Sequence, residues 1–360
     1  MVMTNSAIAL LGQRHHPADG VADYCEALAG AMDNRGYPVE LVEVPWAKLG
    51  WWQAFQWLWH ASQSWQNQWV IVQYTASAWS KYALPIFFLI TLLLLRLRRV
   101  RLAVMFHEVQ GYPGEKLTHR IRRWVQLCLI QAAIRVSDKA ILNVSLEQVP
   151  WLPTHLPHVT FIPVGSNIAG KPHPPQPGNP RTVAVFGLTS VDITPDEVDA
   201  IAYALREASQ HIPKLRLVTV GRGSQEAEPY LRKALQDAPV ELTALGLLSS
   251  EEIANTLFSA DVLLYVRGEI STRRTTALAG LACGLPIVGY SGKETGSPIP
   301  EAGVKLVPEG DKVALAKALI QVLQDEQLWV SLHQRSLATY SCYFSYDAIA
   351  KRFLQVLTHE

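Results

Sequence analysis

Two adjacent arginines and several hydroxyl side chains follow an apolar run in residues 261–290. The pattern predicts a strand at Asp261–Val266, a polar loop at Glu269–Arg274, a small-residue helix at Thr275–Cys283 and a second strand at Ile287–Tyr290. In such a unit the loop lies at the carboxyl end of the first strand, which is where open α/β sheets bind their ligands.

The loop has the chemistry of an anion site. Backbone N–H groups at the start of a helix attract anions. Ser271, Thr275 and Thr276 add hydroxyl donors, and Arg273 and Arg274 add fixed positive charge suited to phosphate. A solvated basic loop is the alternative for an isolated arginine pair. The small residues that follow favour the first interpretation, because they indicate a helix packed closely against a sheet.

Length and composition restrict the classes of protein to consider. A chain of 360 residues predicts two domains of roughly 150–200 residues each. The net charge of +1 argues against nucleic-acid binding, which usually needs a strongly basic domain. Four widely spaced cysteines form no CxxC pair, and three of them lie among apolar neighbours. With no signal-peptide pattern at the N-terminus, we expect a protein of the reducing cytoplasm.

One segment bears on membrane contact. Tyr82–Leu95 is almost unbroken in apolar character and is followed by four arginines within residues 96–101. A bilayer span needs ~20 apolar residues, so this segment is too short to cross. It predicts either a core helix packed on a sheet or a helix that touches the inner face of a membrane. Eight tryptophans between Trp46 and Trp79 are compatible with the second alternative.

Short apolar strands separated by helical stretches predict parallel sheets with helices on both faces. The fold class expected is α/β, with two doubly wound, Rossmann-like parallel-sheet domains facing each other across a cleft. The predicted divisions are a first domain at 1–168, a proline-rich linker at 169–180, a second domain at 181–340, and a C-terminal helix at 341–360 that packs back on the first domain.

Several stretches in this order resemble GT-B glycosyltransferases of the family-four type. In the first half they are IALLGQRHHPADGVADYCEALAGAMDNRGYPVELVEV, WVIVQY, VMFHE and FIPVGSNI. In the second half they are LRLVTVGRGSQ, ALGLLSSEEIANTLFSADVLLYV and TTALAGLACGLPIV. The resemblance implies transfer of a sugar from a nucleotide-diphosphate sugar to an acceptor hydroxyl, with retention of configuration and with neither metal nor cofactor.

The chain departs from the family pattern in two ways. Such enzymes usually carry two glutamates eight positions apart, and the corresponding positions here are Ser271 and Ala279. The family also has an Arg and a Lys after the first strand of the second domain, whereas residues 186–195 contain no basic residue. Glu269 lies near the first missing glutamate. Our hypothesis is that Arg273 and Arg274 supply the missing positive charge.

The resemblance also implies roles for individual residues. His107 would contact the transferred sugar or the acceptor, and Glu108 the acceptor hydroxyl; a loop-orienting histidine and a surface carboxylate are the alternatives. Gly20 would let the backbone approach the donor phosphates. The remaining donor-binding positions implied are Gly187, Gly221, Arg222, Gly246, Leu247, Leu248, Glu269, Ser271, Thr275 and Thr276.

Three other functions stay open from the sequence. A non-catalytic nucleotide-sugar-binding or scaffold protein would explain the missing glutamates. A Rossmann dehydrogenase is disfavoured because Gly221-Arg222-Gly223 lacks the third glycine of GxGxxG. A membrane-surface adaptor would use the Trp- and Arg-rich region. The expected partners of a transferase are a nucleotide-sugar donor and a glycan, lipid or small-molecule acceptor, with no nucleic acid.

Overall fold

The chain forms two compact units. The first comprises Met1–Val164 with Tyr346–Glu360, and the second comprises Gly165–Ser345. This computed structural model describes residues 6–13, 20–153, 156–168, 181–189 and 195–358. The linker predicted at 169–180 lies outside the described residues.

The first unit is built on a parallel sheet of six strands. Their order across the sheet is β2-β1-β3-β4-β5-β6. Each strand is a short apolar run, as expected for a sheet that is buried on both faces. The strands are β1 (Ala7–Leu11), β2 (Val39–Glu43), β3 (Trp69–Tyr74), β4 (Arg101–Phe106), β5 (Lys139–Leu142) and β6 (Val159–Phe161).

Helices cover both faces of this sheet. They are α1 (Gly20–Asp33), α2 (Trp46–Leu49), α3 (Trp51–Ala61), α4 (Ile86–Leu97), α5 (Leu117–Val136) and α12 (Tyr346–Thr358). One core cluster joins buried residues of α3, α4 and α5 to alternate residues of the strands. The C-terminal helix α12 contacts α1. It is also held by Trp69, whose indole Nε1 donates to the Leu357 carbonyl at 2.8 Å.

The predicted apolar helix is α4, and its two sides differ in environment. Phe88, Leu92 and Leu95 are fully buried in the core. The opposite side carries exposed apolar residues at helical spacing, and these are Ile86, Phe87, Ile90, Leu93 and Leu97. Among the described helices, none combines the length and apolar character that a bilayer crossing requires. The core alternative therefore accounts for only one side of α4.

The second unit repeats the architecture with strand order β12-β11-β10-β7-β8-β9. Its strands are β7 (Arg181–Phe186), β8 (Leu215–Val220), β9 (Val240–Ala244), β10 (Val262–Glu269), β11 (Ile287–Ser291) and β12 (Val304–Pro308). Its helices are α6 (Pro195–Ser209), α7 (Ser224–Ala234), α8 (Ser250–Phe258), α9 (Thr275–Ala282), α10 (Lys312–Gln324) and α11 (Glu326–Thr339). All pairings are parallel, which confirms the predicted α/β class with two parallel sheets.

Side-chain caps define where several of these helices begin. Ser249 and Glu252 form a reciprocal capping box at the start of α8. Asp311 and Asp325 accept backbone hydrogen bonds at the starts of α10 and α11. Such caps satisfy N–H groups that have no partner within the helix.

Three features differ from the sequence prediction. Helices α3 and α5 are not predicted by the sequence pattern, and β10 continues through Gly268 to Glu269 instead of ending before the loop. The apolar neighbours of three cysteines predict three core thiols, but Cys25 and Cys283 alone are buried, whereas Cys128 and Cys342 are exposed.

Candidate functional site

An interruption in the pairing of β10 with β11 shapes the candidate site in the second unit. Tyr265 pairs with Gly289, and Glu269 pairs with Tyr290, the next residue of β11. Residues 266–268 therefore have no counterpart and bulge from the strand. Bulges redirect side chains and are common beside active sites. Gly268 adopts a φ of 69°, which a glycine accommodates without strain.

A concavity of about 290 Å³ opens beside this bulge, at the carboxyl ends of the strands. Its lining residues are Phe186, Gly187, Gly221, Arg222, Leu247, Leu248, Ile253, Arg267 and Thr276. Six of these are predicted donor-binding residues: Gly187, Gly221, Arg222, Leu247, Leu248 and Thr276. The structure thus brings together residues from three separate loops of the second unit.

Arg267 is the cation at the centre of this arrangement. A Cβ built on Gly187 would lie 3.4 Å from Arg267 Nη1 and 3.7 Å from Thr276 Cγ2. The guanidinium therefore lies next to the backbone of Gly187, and Thr276, the second residue of α9, approaches the same glycine. Arg267 is not among the residues predicted from the sequence. Its signal was available, since it is the first cation after an apolar strand and directly precedes a glycine.

The glycine turn after β8 forms another part of the wall. Gly221 has a φ of 87°, and its N–H donates to the Gly246 carbonyl at 2.7 Å. The Gly246 N–H in turn donates to Ser224 Oγ at 2.8 Å. Gly246 thus fixes the position of the Gly221 turn, while Leu247 and Leu248 beside it line the concavity.

The start of α9 is open to a ligand. Arg274 occupies the N-cap position, and its side chain does not cap the N–H groups of the first turn within the part of the chain that the structure describes. Thr275 is exposed and Thr276 is half-buried. Only Thr276 lines the concavity.

Arg273 is committed to an ion pair. Its Nε and Nη2 each donate to the Glu294 carboxylate at 2.7 Å, and the Glu294 side chain is only 8% exposed. The Glu294 N–H donates to Glu269 Oε2 at 2.7 Å. These contacts tie the loop after β11 to the loop before α9. Because a bidentate pair neutralises the guanidinium, the structure does not support Arg273 as the cation for a donor phosphate.

Ser271 and Arg274 are not among the residues that line the concavity either. Ser271 is fully buried, and its Oγ has no hydrogen-bond partner among the described residues. Arg274 makes no ion pair within the described ranges. It lies near Tyr265, where burial raises the pKa of the phenol and the Arg274 charge opposes that rise. Of the two loop arginines, Arg274 alone retains an unneutralised charge.

The predicted residues of the first unit lie at the carboxyl ends of its sheet. His107 follows β4, and its Nε2–H donates to Gln73 Oε1 at 2.8 Å. The ring contacts Tyr24 edge-on, with centroids 5.3 Å apart. Burial raises the pKa of Tyr24 well above its ordinary value. His107 is thus oriented by buried neighbours while its own ring stays partly exposed.

Glu108 and Gly20 have different surroundings. The exposed Glu108 accepts a hydrogen bond from the Ala76 N–H at 3.1 Å. Gly20 is the first residue of α1 and not part of the preceding loop, whose residues 14–19 lie outside the described ranges. In the part of the chain that the structure describes, no group of three or more His, Cys, Asp or Glu side chains is placed to hold a metal ion.

The sequence pattern of the family described as Glycosyl transferases group 1 matches residues 185–325. This stretch contains every residue that lines the concavity. The second unit contains a glycosyltransferase group 1 domain.

A curated relative supports the same assignment. The chain is 27% identical over 170 residues to the GDP-mannose-dependent monoacylated alpha-(1-6)-phosphatidylinositol monomannoside mannosyltransferase of Corynebacterium glutamicum. The match covers 45% of this chain and 44% of that enzyme, so it spans less than half the length of either protein.

Solved structures resemble nearly the whole chain, beyond the residues that the family pattern matches. HepE from Anabaena, in complex with UDP and glucose, has a TM-score of 0.65 at 15% identity, covering 98% of this chain and 99% of its own. Sucrose-phosphate synthase from Thermosynechococcus elongatus has a TM-score of 0.64 at 17% identity, covering 98% of both chains. At these identities the likeness concerns the fold, which is that of the GT-B glycosyltransferases.

The ion pair gives a testable prediction for the glycosyltransferase domain. Arg273→Met should destabilise the protein by about 2 kcal/mol, since it leaves the buried Glu294 carboxylate without its partner. The double variant Arg273→Met/Glu294→Met should recover most of that loss. Urea unfolding of the three proteins would measure both effects. An Arg273→Met protein of unchanged stability that no longer binds nucleotide would contradict this role.

Proposed function

We propose that this protein transfers a sugar from a nucleotide-diphosphate sugar to the hydroxyl of a glycan, lipid or small-molecule acceptor. The observation that carries the proposal is the placement of Arg267 beside Gly187 and the start of α9. A guanidinium, a glycine backbone and uncapped helix N–H groups together suit a diphosphate.

Arg267 can supply the positive charge that the family pattern places in an Arg and a Lys after the first strand of the second domain. The loop after β7 lacks a cation, but the bulge of β10 brings one to the same place from the neighbouring strand. Arg222 adds a second positive charge on the rim. We therefore assign the diphosphate to Arg267, Gly187 and Thr276, with Arg274 as a further cation near the helix start.

The base and ribose would occupy the other end of the concavity. Leu247 and Leu248 offer apolar surface to a ring, and Leu247 is 80% exposed. The turn at Gly221 brings backbone close enough to contact the ribose. Gly246 contributes indirectly by holding this turn.

The chemical step follows from a diphosphate leaving group. The bond between the sugar's anomeric carbon and the phosphate oxygen breaks, and its electron pair goes to the diphosphate. The acceptor oxygen bonds to the anomeric carbon, and its proton passes to the leaving phosphate. Fixed cations and N–H donors lower the barrier by stabilising the charge that develops. Family resemblance favours retention of configuration without a metal, with His107 contacting sugar or acceptor and Glu108 the acceptor hydroxyl.

The first prediction from this proposal concerns donor binding. Arg267→Ala should weaken the binding of the matching nucleoside diphosphate about 10- to 100-fold, since a hydrogen bond to a charged group contributes about 1.5–3 kcal/mol. Isothermal titration with UDP, GDP and ADP would measure it. The control Arg206→Ala removes an exposed arginine of α6 that does not line the concavity. Equal affinities for Arg267→Ala and wild type would refute the assignment.

The second prediction concerns turnover. The purified protein should slowly hydrolyse one class of UDP-, GDP- or ADP-sugar, in EDTA as well as without it. The first sugar product, whether released or transferred, should have the same anomeric configuration as the donor when it is observed by NMR. Donor binding without any turnover, even in the presence of candidate acceptors, would instead favour a non-catalytic nucleotide-sugar-binding protein. The absence of glutamates at positions 271 and 279 suggests that alternative.

Peripheral membrane contact is a further part of the proposal. The outer sides of α3, α4 and α5 expose apolar residues, namely Trp52, Trp59, Ile86, Ile90, Leu93, Leu97, Leu117, Ile121 and Trp124. Residues 46–136 contain eleven Lys or Arg and two Asp or Glu, although the whole chain has a net charge of only +1. Apolar surface with interfacial tryptophans and surrounding cations suits an anionic bilayer surface. We term the outer sides of these three helices the apolar face.

Vesicle sedimentation would test the apolar face. Leu93→Gln/Leu97→Gln should reduce binding to vesicles of phosphatidylcholine and phosphatidylglycerol at least about tenfold, since each leucine loses part of the ~1.5–3 kcal/mol that its burial in lipid contributes. The matched control Leu247→Gln/Val313→Gln changes two exposed apolar residues of the second unit. If both double variants sediment like wild type, the apolar face does not contact the membrane.

A further inference from the structure

A second concavity lies at the opposite end of the first sheet from His107. It measures about 470 Å³ and is lined by Trp69, Arg96, Arg99, Val100, Arg101, Asp138 and Lys139. Trp69, Arg101 and Lys139 are the first residues of β3, β4 and β5. Because His107 follows the carboxyl end of β4, the proposed transfer chemistry makes no use of this basic pocket.

The pocket has a strong excess of positive charge. Among the described residues that line it, four cationic side chains and one carboxylate give a net charge of +3. Asp138 is already engaged, because both of its oxygens lie 2.8 Å from Arg96 Nη1 and Oδ2 also accepts the Leu102 N–H. Within the described ranges, Arg99 and Arg101 have no carboxylate partner. Arg101 instead lies over the Trp69 ring, 4.6 Å from its centroid.

Helix electrostatics account for only some of these cations. Arg96 and Arg99 lie at the end of α4, where the helix dipole favours positive charge. Arg101 and Lys139 begin strands, to which no such dipole applies. Arg99 also adopts a φ of 57°, a left-handed conformation that is unfavourable for a non-glycine residue. The clustering of positive charge around one cavity therefore needs another explanation.

We propose that the basic pocket binds the phosphate of an anionic phospholipid head group. The apolar face leads to it, because the exposed stripe of α4 ends at Leu97, two residues before Arg99. Between them, the Arg98 guanidinium lies 4.6 Å from the centroid of the Trp59 ring, on the adjoining helix of the apolar face. Arginine and lysine side chains recognise a phosphodiester through charge-assisted hydrogen bonds. The inference rests on the proposed membrane contact and adds a specific head-group site to it.

Vesicle binding with matched charge variants tests the pocket. Arg99→Asn/Lys139→Gln removes two pocket cations, and asparagine tolerates the left-handed backbone at position 99. We expect it to lose about 30-fold in affinity for phosphatidylglycerol vesicles and to bind phosphatidylcholine vesicles like wild type. The control Lys116→Gln/Arg120→Gln removes the same charge from exposed positions outside the pocket. It should lose less than about fivefold at physiological salt, because exposed charges are screened.

The possible outcomes separate this inference from the other proposals. Equal losses for the two double variants would overturn the pocket and leave a general electrostatic attraction. Wild type that binds neither kind of vesicle would overturn both the pocket and the membrane contact, while nucleotide titration would still test the transferase separately. If millimolar inorganic phosphate stabilises wild type but not Arg99→Asn/Lys139→Gln, and phosphatidylglycerol vesicles do not bind, the pocket takes a soluble phosphate and the lipid assignment is wrong. Thermal unfolding of each variant would confirm that it folds.

Discussion

The candidate site depends on one interruption of a β-ladder. Because residues 266–268 have no counterpart in β11, the chain after Tyr265 leaves the regular pleat and rejoins it at Glu269. The interruption turns Arg267 toward Gly187 and the start of α9. It also places Glu269 where its carboxylate can accept the Glu294 N–H. In a regular strand residues 267 and 269 would point to the same face of the sheet. Here Arg267 lies beside Gly187, which follows β7, and Glu269 contacts Glu294, which follows β11.

Arg267 and Arg273 have the same side chain but different roles, because their surroundings differ. Arg273 is held by a nearly buried carboxylate, so its charge stabilises a loop. Arg267 has no ion pair within the described residues and borders an open concavity. The fixed loop in turn supports the first residues of α9, since Arg273 and Arg274 directly precede it. One arginine therefore makes the site rigid, and the other is available to a ligand.

Much of the fold could be predicted from the sequence, whereas only part of the site could. Apolar β-branched runs mark strands such as Val70–Tyr74 clearly, because a strand in a buried parallel sheet has little freedom in composition. Helix α5 escaped prediction because polar and charged residues interrupt its apolar pattern. The family resemblance singled out Gly187 and Gly221, and both line the concavity. The Arg273–Glu294 pair joins residues 21 positions apart through a loop, and no periodicity in the sequence signals such a contact.

The glycine turn after β8 contributes main chain to the wall of the concavity, which affects how mutagenesis reports on this part of the wall. At Gly221 an added methyl group would lie 2.9 Å from the Phe186 ring, and at Gly223 it would lie 2.6 Å from the Leu188 carbonyl oxygen. Both residues also have positive φ angles. An alanine scan of this turn would therefore report steric collision and not the loss of a ligand contact. Replacing single backbone amides by esters, which deletes one hydrogen-bond donor without adding volume, would probe this wall directly.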